Sequence, residues 1–287
     1  MLKPRVIVIL GQTATGKSAL AVKIAKKING EIISADSRQV YKELDIGTGK
    51  ISEKEMLGIP HHLLDVANPK RKFTVVQYKT LAEEKIKEII ARGKVPIICG
   101  GTGFYIDAIT RGVIFPEVPP NQKLRKLLSK KSEQELFKIL KKADKDRAKT
   151  IDPKNKVRLI RAIEIAKTLG KVPKITEKTP MYKFIKIGLF LPPDKLKKKV
   201  EKRVKKMFKM GLLSEIKKLK KSGVSNKRLR ELGFEYNEPT FKKVVRGTID
   251  YAKRQITWFK RDKEIKWFDA SKNILPSIHK VIQSSVY

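Results

Sequence analysis

Short apolar runs alternate with helix-like segments along the first 115 residues of the chain. The apolar runs have the length and β-branched content of buried strands and read RVIVIL, EIISAD and VPIICGG, at residues 5–10, 31–36 and 95–101. The segments between them, SALAVKIAKKI and VVQYKTLAEEKIKEIIARGK, are rich in good helix formers. This alternation predicts an α/β fold, with a parallel sheet flanked by helices and a ligand at the carboxyl ends of the strands. Gly11, Asp36 and Gly100 lie at three of these ends, so we expect them around one crevice.

The pattern changes after FPEVPPNQ, where apolar residues take helical spacing. Residues 121–178 show no strand pattern, and the next strand is FIKIGLFLP at 184–192. Proline-rich stretches at 118–120 and 172–174 are typical of hinges at the ends of an inserted segment. We therefore predict a core domain formed by residues 1–115 and 181–287, interrupted by a helical insertion domain at 116–180.

The chain returns to the sheet pattern after the insertion. FIKIGLFLP predicts a strand, and the lysine-rich residues 193–221 predict a long basic helix or a helix pair. Residues 248–262 predict a further helix, and EIKWFD at 264–269 resembles a last strand.

The composition is that of a soluble globular protein, with 40% hydrophobic residues in a chain of 287. No apolar run approaches the roughly 18–20 residues that span a bilayer, so we expect a cytoplasmic protein with no membrane partner. Cys99 is the only cysteine. It excludes a disulfide within the chain and a cysteine metal cluster, and its apolar neighbours predict a buried core position.

Positive charge dominates the sequence. The chain has 67 Lys and Arg against 29 Asp and Glu, for a net charge of +38. Thermophilic enrichment in charge raises Lys and Glu together, but here the acids do not keep pace. An excess of this size repels itself unless a polyanion is the normal partner, so nucleic acid is the favoured partner over a merely solvated surface.

The segment GQTATGKS, at residues 11–18, fits the phosphate-binding pattern G-x-x-x-x-G-K-[ST] between a predicted strand and a predicted helix. Its backbone N–H groups can point at one anion, while Lys17 reaches the outer phosphate and the Ser18 hydroxyl binds Mg²⁺. The predicted phosphate-binding residues are Gly11, Gln12, Thr13, Ala14, Thr15, Gly16, Lys17 and Ser18. Kinases, GTPases and ATPases share this loop. It therefore predicts a P-loop NTPase-like sheet and a phosphate ligand, but no particular reaction.

Asp36 follows the second predicted strand, and three roles suit it. It is placed to hold a metal-bound water, to act as a general base, or to cap a turn. The residues after it, Ser37, Arg38 and Gln39, are all polar and suit contacts with the edge of a nucleobase.

The stretch GGTGFY, at residues 100–105, places three glycines around Thr102. Two interpretations stay open: the glycines serve a tight turn, or they admit the close approach of a ligand toward the Thr102 hydroxyl. His61 and His62 are adjacent and lack a third ligand at zinc spacing, which favours a structural role for both.

Two basic segments combine charge with apolar or aromatic residues. KVRLIRAIEI, at 156–165, places Arg158 and Arg161 one helical turn apart. AKRQITWFKR, at 252–261, places Lys253, Thr257 and Lys260 on one helix face. On a neighbouring face, Arg254 and Arg261 flank the aromatic ring of Trp258. Basic groups interleaved with aromatics favour RNA contact over a solvated face.

Seven segments together resemble the tRNA dimethylallyltransferase family: GQTATGKSAL, ISADSRQVYKELDIGTGK, HHLLDV, VPIICGGTGFYI, VRLIRAIEI, LRELGFE and AKRQITWFKR. They occur in this order and span most of the chain, and the resemblance is to the bacterial type without a zinc-finger extension. The chain departs from the family in having Gln12 where a proline is usual and Gly49 where an alanine is usual.

The resemblance implies transfer of a dimethylallyl group from dimethylallyl pyrophosphate to N6 of the adenosine 3′ of the tRNA anticodon. The loop would then hold the leaving pyrophosphate, with Mg²⁺ as cofactor, and the acceptor base would leave its stack. The implied catalytic residues are Asp36 as general base, Thr102 orienting the donor or the amine, and Lys17 on the pyrophosphate. Arg230 is a further implied pyrophosphate ligand, and a monomer is expected.

The same resemblance implies a set of tRNA contacts on the core and on the insertion, which would close on the anticodon stem. These residues are Asp36, Ser37, Arg38, Gln39, Thr102, Arg125, Val157, Arg158, Leu159, Ile160, Arg161, Lys253, Arg254, Gln255, Thr257, Trp258 and Lys260.

Three alternatives remain at the level of the sequence. A small-molecule kinase would use Arg158 and Arg161 in a lid, but the net charge is excessive for such a substrate. A nucleotide-driven RNA-binding switch lacks a guanine-reading N-K-x-D motif. An enzyme that prenylates free adenine nucleotides would have little use for a basic insertion.

Overall fold

The predicted parallel sheet is present in the computed structural model, which describes residues 3–174 and 176–284. The strands among these residues are β1 Arg5–Gly11, β2 Gly30–Ala35, β3 His61–His62, β4 Val95–Gly100, β5 Val113–Ile114, β6 Thr176–Glu177, β7 Lys183–Phe190 and β8 Lys266–Asp269. Six of them form one sheet in the order β3-β2-β4-β1-β7-β8, and each neighbouring pair is parallel. The predicted α/β fold class is confirmed.

Helices cover both faces of this sheet. The helices described are α1 Lys17–Ile28, α2 Glu53–Met56, α3 Val75–Ala91, α4 Gly103–Thr110, α5 Gln122–Leu128, α6 Glu133–Ala143, α7 Lys145–Thr150, α8 Lys156–Leu169, α9 Pro193–Lys209, α10 Leu212–Lys221, α11 Asn226–Leu232, α12 Phe241–Phe259 and α13 Leu275–Gln283, with a 3₁₀ turn at Phe234–Tyr236. Apolar residues of α1 and α13 pack on one face of the sheet. Residues of α3, α4, α10 and α12 pack on the other.

Strand β1 lies inside the sheet and is buried on both faces. Val6 and Val8 belong to the core on one side, while Ile7 and Ile9 belong to the core on the other. A strand covered on both faces reads as a continuous apolar run rather than as an alternating one. Because the strands are parallel, their carboxyl ends meet at one edge of the sheet.

The two adjacent histidines form the short edge strand β3, which the apolar pattern did not predict. His62 Nε2 lies 2.7 Å from Oε2 of the buried Glu31 on β2, and His61 Nδ1 lies 2.8 Å from the Ile59 carbonyl. These partners fix the strand through polar contacts, which explains why hydrophobic spacing missed it. They also agree with a structural role for both histidines.

The lysine-rich segment forms a helix pair. Helix α9 ends at Lys209 and α10 begins at Leu212, with Gly211 between them at φ +99°. A positive φ costs glycine no strain, so the chain turns here and starts a second helix. Of the two predictions for residues 193–221, one long helix or a helix pair, the helix pair is correct.

The chain divides into two compact units, Met1–Gly112 with Thr179–Tyr287, and Val113–Lys178. The second unit contains α5 to α8, whose buried Leu136, Leu140, Leu159 and Ile163 form its core. Strands β5 and β6 pair antiparallel at the two ends of this unit. The expectation of no strand within residues 121–178 is therefore wrong, because β6 lies at Thr176–Glu177. A two-residue strand is too short to show a hydrophobic period.

Among the described residues, no helix is long and apolar enough to cross a membrane.

Candidate functional site

The phosphate-binding pattern lies in a sharp turn between β1 and α1. Gly11 has φ +123°, and a Cβ there would lie 2.1 Å from the Leu189 carbonyl oxygen, so only glycine fits. Gly16 and Ala14 also have positive φ, at 89° and 62°. The turn thus exists because β1 runs close beside β7 and must then reverse into a helix.

Gln12 anchors this turn to the neighbouring strand. Its backbone N–H donates to the Leu189 carbonyl at 3.2 Å, and its Oε1 accepts the backbone N–H of Leu191 at 2.9 Å. Its own carbonyl accepts hydrogen bonds from the Thr15 hydroxyl and from the Lys17 ammonium, at 2.8 and 2.6 Å. Gln12 and Thr15 are buried, so they shape the loop from within.

Lys17 is half-buried, and its ammonium donates to a neutral carbonyl. Burial lowers the pKa of Lys17 to about 8, with the nearby Arg203 acting in the same direction and with Cys99 and Asp36 opposing the shift. A cation held in this way gains strongly from an anion placed beside it. The geometry therefore suits a phosphate ligand.

Asp36 stands directly after β2 and organises the turn that follows. Its Oδ1 accepts the backbone N–H groups of Arg38 and Gln39, at 2.8 and 3.3 Å. The same turn is held from β4 by Thr102, whose Oγ1 accepts the Ser37 N–H at 2.9 Å. Asp36 therefore caps a turn through Oδ1, while Oδ2 takes no part in this cap and is available to accept a hydrogen bond or a proton from a ligand.

Thr102 contacts the turn that carries Asp36. Its hydroxyl is directed at Ser37, with Oγ1 to Oγ at 3.3 Å, and Thr102 is not among the residues that line the crevice described below. Thr102 therefore positions this turn, and its implied role toward the donor or the amine stays a prediction.

The glycines of GGTGFY make room for protein atoms. A Cβ on Gly100 would lie 2.2 Å from the Ala35 carbonyl, one on Gly101 would lie 2.1 Å from Gln255 Nε2, and one on Gly103 would lie 2.3 Å from the Trp258 ring. Gly100 is therefore required by the neighbouring backbone of β2, while Gly101 and Gly103 leave room for side chains of α12. Close packing within the protein is a role that neither of the two interpretations of the sequence included.

A crevice of about 640 Å³ opens at the carboxyl end of the sheet. Eleven of the residues predicted for phosphate or tRNA line it: Thr13, Ala14, Gly16, Lys17, Ser18, Asp36, Ser37, Arg38, Gln39, Arg254 and Gln255. Gly100 and the predicted core residue Cys99 also line it, and burial raises the pKa of the Cys99 thiol to about 12. The other three residues of the loop, Gly11, Gln12 and Thr15, are buried and do not line the crevice.

Gln255 has a different role from the one implied for it. It is buried, its Oε1 accepts the Thr13 N–H at 2.8 Å, and its Nε2 donates to the Gly101 carbonyl at 2.9 Å. Gln255 therefore ties α12 to the phosphate-binding turn and to the end of β4. Its amide is occupied by the protein, which corrects the prediction of a tRNA contact through this side chain.

The other residues of α12 divide by exposure. Lys253, Arg254, Thr257 and the adjacent Lys260 are exposed. The Trp258 indole N–H donates to Asp107 Oδ2 at 2.9 Å. Two arginine guanidinium groups lie over aromatic rings: that of Arg261 is 5.2 Å from the Trp258 ring, and that of Arg254 is 5.8 Å from the Tyr251 ring. The expected flanking of Trp258 by two arginines thus holds for Arg261 alone.

Arg230 does not reach the crevice. It is exposed on α11 and is absent from the lining residues. The arginine that does line the crevice is Arg203 of α9, whose NH2 donates to the Thr48 carbonyl at 2.8 Å. Burial lowers the pKa of Arg203, while Asp36 and Glu235 oppose that shift. The implied pyrophosphate role of Arg230 stays a prediction, and Arg203 is a second candidate for it.

Arg203 was missed because α9 has the sequence of a lysine-rich, solvated helix. It is the single arginine of that helix, and this was the signal that could have found it. The loop at 47–49 lies next to this arginine. A Cβ on Gly49 would lie 2.2 Å from Arg203 NH2, at the end of a flexible side chain, and Gly49 has φ +58°, a left-handed conformation that favours glycine.

The loop before the crevice is fixed by a buried carboxylate that the sequence analysis did not single out. Glu215 of α10 accepts the backbone N–H groups of Asp45, Ile46 and Gly47, at 2.9, 2.6 and 3.0 Å. Its Oε1 also accepts the Tyr236 hydroxyl at 2.9 Å. One carboxylate therefore fixes two segments that lead into the lining of the crevice.

The insertion places its predicted residues in two environments. Val157 and Arg158 are exposed and Ile160 is half-buried, but Leu159 is fully buried in the core of the unit. The Leu159 side chain is therefore a packing residue, which corrects its implied contact with tRNA. A helix with one buried face cannot present five consecutive side chains to one partner.

Arg125 and Arg161 are held by the buried Glu164. Arg125 donates to both carboxylate oxygens at 2.9 and 2.7 Å, and Arg161 donates to Oε2 and to the Val118 carbonyl. Both arginines remain about one-third exposed. Their outer surfaces can meet a polyanion, but their first function is to neutralise Glu164.

Comparison with known proteins links this arrangement to tRNA modification. A family model described as IPP transferase matches residues 39–262. The chain is 40% identical over 298 residues to the tRNA dimethylallyltransferase of Halothermothrix orenii, covering 96% of this chain and 91% of that protein. It is 38% identical over 286 residues to that of Bacillus subtilis, covering 93% and 91%.

Solved structures give the same association. The full-length tRNA isopentenylpyrophosphate transferase of Bacillus halodurans matches with a TM-score of 0.74 and 34% identity, covering 98% of this chain and 96% of that chain. A eukaryotic dimethylallyltransferase, described as acting on tRNA, matches with a TM-score of 0.80 and 27% identity, covering 98% and 78%.

Proposed function

Since the chain belongs to the tRNA dimethylallyltransferase family and is a tRNA-prenylating enzyme, we propose how its crevice performs the reaction. The dimethylallyl group passes from its pyrophosphate to N6 of the adenosine 3′ of the anticodon. One observation carries this proposal: Lys17 of the phosphate-binding turn and Asp36 of the neighbouring strand end line the same crevice. The kinase, nucleotide-switch and free-nucleotide alternatives are not favoured by these relatives.

The donor pyrophosphate lies against the turn at 12–16 and the start of α1. Breaking the allylic C–O bond leaves negative charge on pyrophosphate, and the Lys17 ammonium and free N–H groups of the turn stabilise that charge. Arg203 also lines the crevice and supplies a second cation for the leaving group.

A magnesium ion fits the donor site through Ser18 and the pyrophosphate itself. The Ser18 side chain lines the crevice beside Lys17, and no group of three or more His, Cys, Asp or Glu side chains among the described residues forms a metal cage. Mg²⁺ commonly binds few protein ligands and completes its shell with substrate phosphates and water. When bound, it supplies additional positive charge to the leaving group.

Asp36 removes a proton from the acceptor amine. The N6 lone pair is delocalised into the purine ring, so the amine is a weak nucleophile and must lose a proton as the new bond forms. The oxygen that binds Arg38 and Gln39 fixes the carboxylate, and Thr102 fixes the turn. The base reaches this point only after leaving its stack, as in other base-modifying enzymes.

Exposed basic residues hold the tRNA around the crevice. Arg254 of α12 lines the crevice. Lys253 and Thr257 of the same helix are exposed, and so is Lys260, which directly follows the helix. Arg158 offers a similar group on the insertion. With a net charge of +38, contacts to phosphates supply most of the affinity and position the anticodon arm.

The reaction is tested with unmodified tRNA and either dimethylallyl pyrophosphate or ATP, by following the mass of the anticodon-loop fragment. A gain of one five-carbon unit with dimethylallyl pyrophosphate alone supports the proposal, whereas no gain, or a gain on another nucleotide, contradicts it.

Asp36→Asn tests the general base. The amide oxygen still accepts the two backbone N–H groups, so the turn keeps its geometry, while turnover falls by about 10² or more. Asp269→Asn is the matched control, because Asp269 accepts the Ser271 N–H in a similar turn outside the crevice, at 2.9 Å. Turnover near the wild-type value in Asp36→Asn would remove Asp36 from the mechanism.

A further inference from the structure

Three carboxylates line the crevice, and they differ in what they bind. Glu55 accepts the N–H and the hydroxyl of Ser52 in a capping box, at 3.0 and 2.9 Å. Asp36 accepts two backbone N–H groups, as described above. Among the residues that the structure describes, Glu235 accepts a hydrogen bond only from its own backbone N–H. The Glu235 carboxylate is therefore available to a ligand.

A rigid turn presents Glu235 to the crevice. It is the central residue of the 3₁₀ turn Phe234–Tyr236, and the following Tyr236 hydroxyl is bound to the buried Glu215. The preceding Gly233 has φ +148°, and a Cβ there would lie 2.6 Å from Glu235 Oε2 and 3.9 Å from Arg38 Nε. The carboxylate thus lies beside the turn that carries Asp36.

The groups around Glu235 keep both of its protonation states accessible near neutral pH. Burial raises the pKa of Glu235 to about 7, and the charge of Asp36 acts in the same direction. Arg38 on the Asp36 turn and Arg203 on α9 oppose this shift, and the Tyr236 hydroxyl lies on Glu235's own turn. Two carboxylates in one crevice thus have different environments, a pattern that assigns them different roles.

On the basis of the proposed function, we propose that Glu235 is the second carboxylate of the nucleobase site and accepts one N–H of the acceptor's exocyclic amine. Asp36 faces the other N–H and takes its proton. One N–H bond and the donor C–O bond break, one N–C bond forms, and the C–O electron pair leaves with pyrophosphate. The N–H that Glu235 binds remains in the product, which is a secondary amine.

This arrangement selects a 6-amino purine over a 6-oxo purine. An exocyclic amine offers two hydrogen-bond donors to two carboxylates, whereas a carbonyl oxygen offers none and meets two acceptors. A site that leaves buried polar groups unpaired, or places like charge together, rejects the wrong ligand. Glu235 would therefore determine which purine the crevice accepts.

The test compares anticodon-arm RNAs that carry adenosine or inosine at the acceptor position. In Glu235→Gln, the carboxamide offers a donor to the inosine carbonyl, so the ratio of the two dissociation constants falls by about tenfold or more. Prenylation of the adenosine RNA, as kcat/KM, falls by up to about tenfold, because the amide oxygen still accepts the N–H but lacks the charge that strengthens this hydrogen bond. In the wild type, kcat/KM should rise with pH as Glu235 ionises, and this dependence should disappear in Glu235→Gln, because glutamine does not titrate.

Two further variants make the test specific. Glu231→Gln is the matched control, because Glu231 pairs with Lys72 and Arg228 and does not line the crevice; it should keep the wild-type ratio and pH profile. Glu235→Asp keeps a carboxylate and should keep the preference for adenosine. An unchanged ratio in Glu235→Gln, or equal weakening of both RNAs, overturns the inference. Failure of the wild type to prenylate the adenosine RNA would instead overturn the proposed function.

Discussion

A buried charge in the insertion is surrounded by partners, whereas the buried charges of the crevice face open space. In the insertion, Glu164 is 1% exposed and accepts hydrogen bonds from Arg125, from Arg161 and from the Asn121 N–H. Burial by itself would raise the pKa of Glu164, but these hydrogen bonds outweigh it and lower the pKa. The ionised form is thus a stable part of the fold.

The crevice shows the opposite balance. Lys17 and Arg203 donate to neutral carbonyls, and Glu235 accepts from its own backbone. Burial moves the pKa of Lys17 down and that of Glu235 up, each toward its neutral form. Desolvated charges of this kind are unfavourable in the empty site and favourable once a ligand of opposite charge arrives. Unpaired buried charge therefore indicates the binding site, whereas paired buried charge belongs to the structural part of the fold.

Loss of the Lys17 charge should have the strongest effect on turnover, because its ammonium donates to the neutral Gln12 carbonyl and is available to the leaving anion. In Lys17→Met, turnover falls by about 10² to 10³, as for the loss of a preorganised group on a leaving anion. Initial rates of tRNA prenylation at saturating donor measure this. Lys26→Met, on the exposed face of the same helix, should leave the rate unchanged. Equal rates in the two variants would contradict the assignment of Lys17.

Removing Glu164 should instead destabilise the insertion. Glu164→Ala leaves two arginines unpaired and lowers the free energy of unfolding by about 2–3 kcal/mol, less than for a fully buried pair because both arginines are one-third exposed. Hydrogen exchange of the insertion amides measures this change.

The control for Glu164 is an exposed ion pair in the same unit. Asp146→Ala breaks the pair with Lys149, whose groups are 93% and 75% exposed, and should change stability by less than about 1 kcal/mol. The stabilisation by Glu164 should also depend on pH. Because its folded pKa is lowered, the stabilisation is present above the unfolded value of about 4.3 and is lost as pH falls through the folded pKa. Equal exchange in the two variants would mean that the Glu164 cluster does not stabilise the unit.

Substitution of Gln12 should have a smaller effect, on stability alone, because its side-chain amide is uncharged and is already paired with the Leu191 N–H. Gln12→Ala leaves the buried Leu191 N–H without its acceptor and lowers the free energy of unfolding by about 1–2 kcal/mol. Denaturant unfolding measures this, with Gln134→Ala on an exposed position of α6 as control. Stability equal to wild type would show that the amide contributes nothing to the loop.

Local patterns predicted the part of the site that one strand–turn–helix unit builds. GQTATGKS specifies a turn by its glycines, and Lys17 and Ser18 follow from their offsets within it. Asp36 was predicted because it ends a strand, and parallel strands end at one edge of the sheet. These inferences need only nearest neighbours along the chain.

Residues brought in from distant segments were not predictable in this way. Arg203 and Glu235 lie far along the chain from the loop, within a lysine-rich helix and a short turn, and neither segment has a pattern that reports its neighbours. Glu215 looked like one acid among many lysines, although it binds three backbone N–H groups of a remote loop. Gln255 and Thr102 were predicted to contact substrates, but in the structure they form hydrogen bonds with other residues of the protein.

The α/β sheet, the phosphate-binding turn, the helical nature of the insertion and the polyanionic partner follow from the amino-acid sequence alone, because hydrophobic period, glycine positions and net charge act locally or sum over the whole chain. The tertiary structure was needed to show which arginine enters the crevice, which glycines pack against neighbouring atoms and which carboxylates remain unpaired. Those outcomes depend on where separate segments meet and how far each charge is removed from water, and neither quantity is written in the spacing of residues.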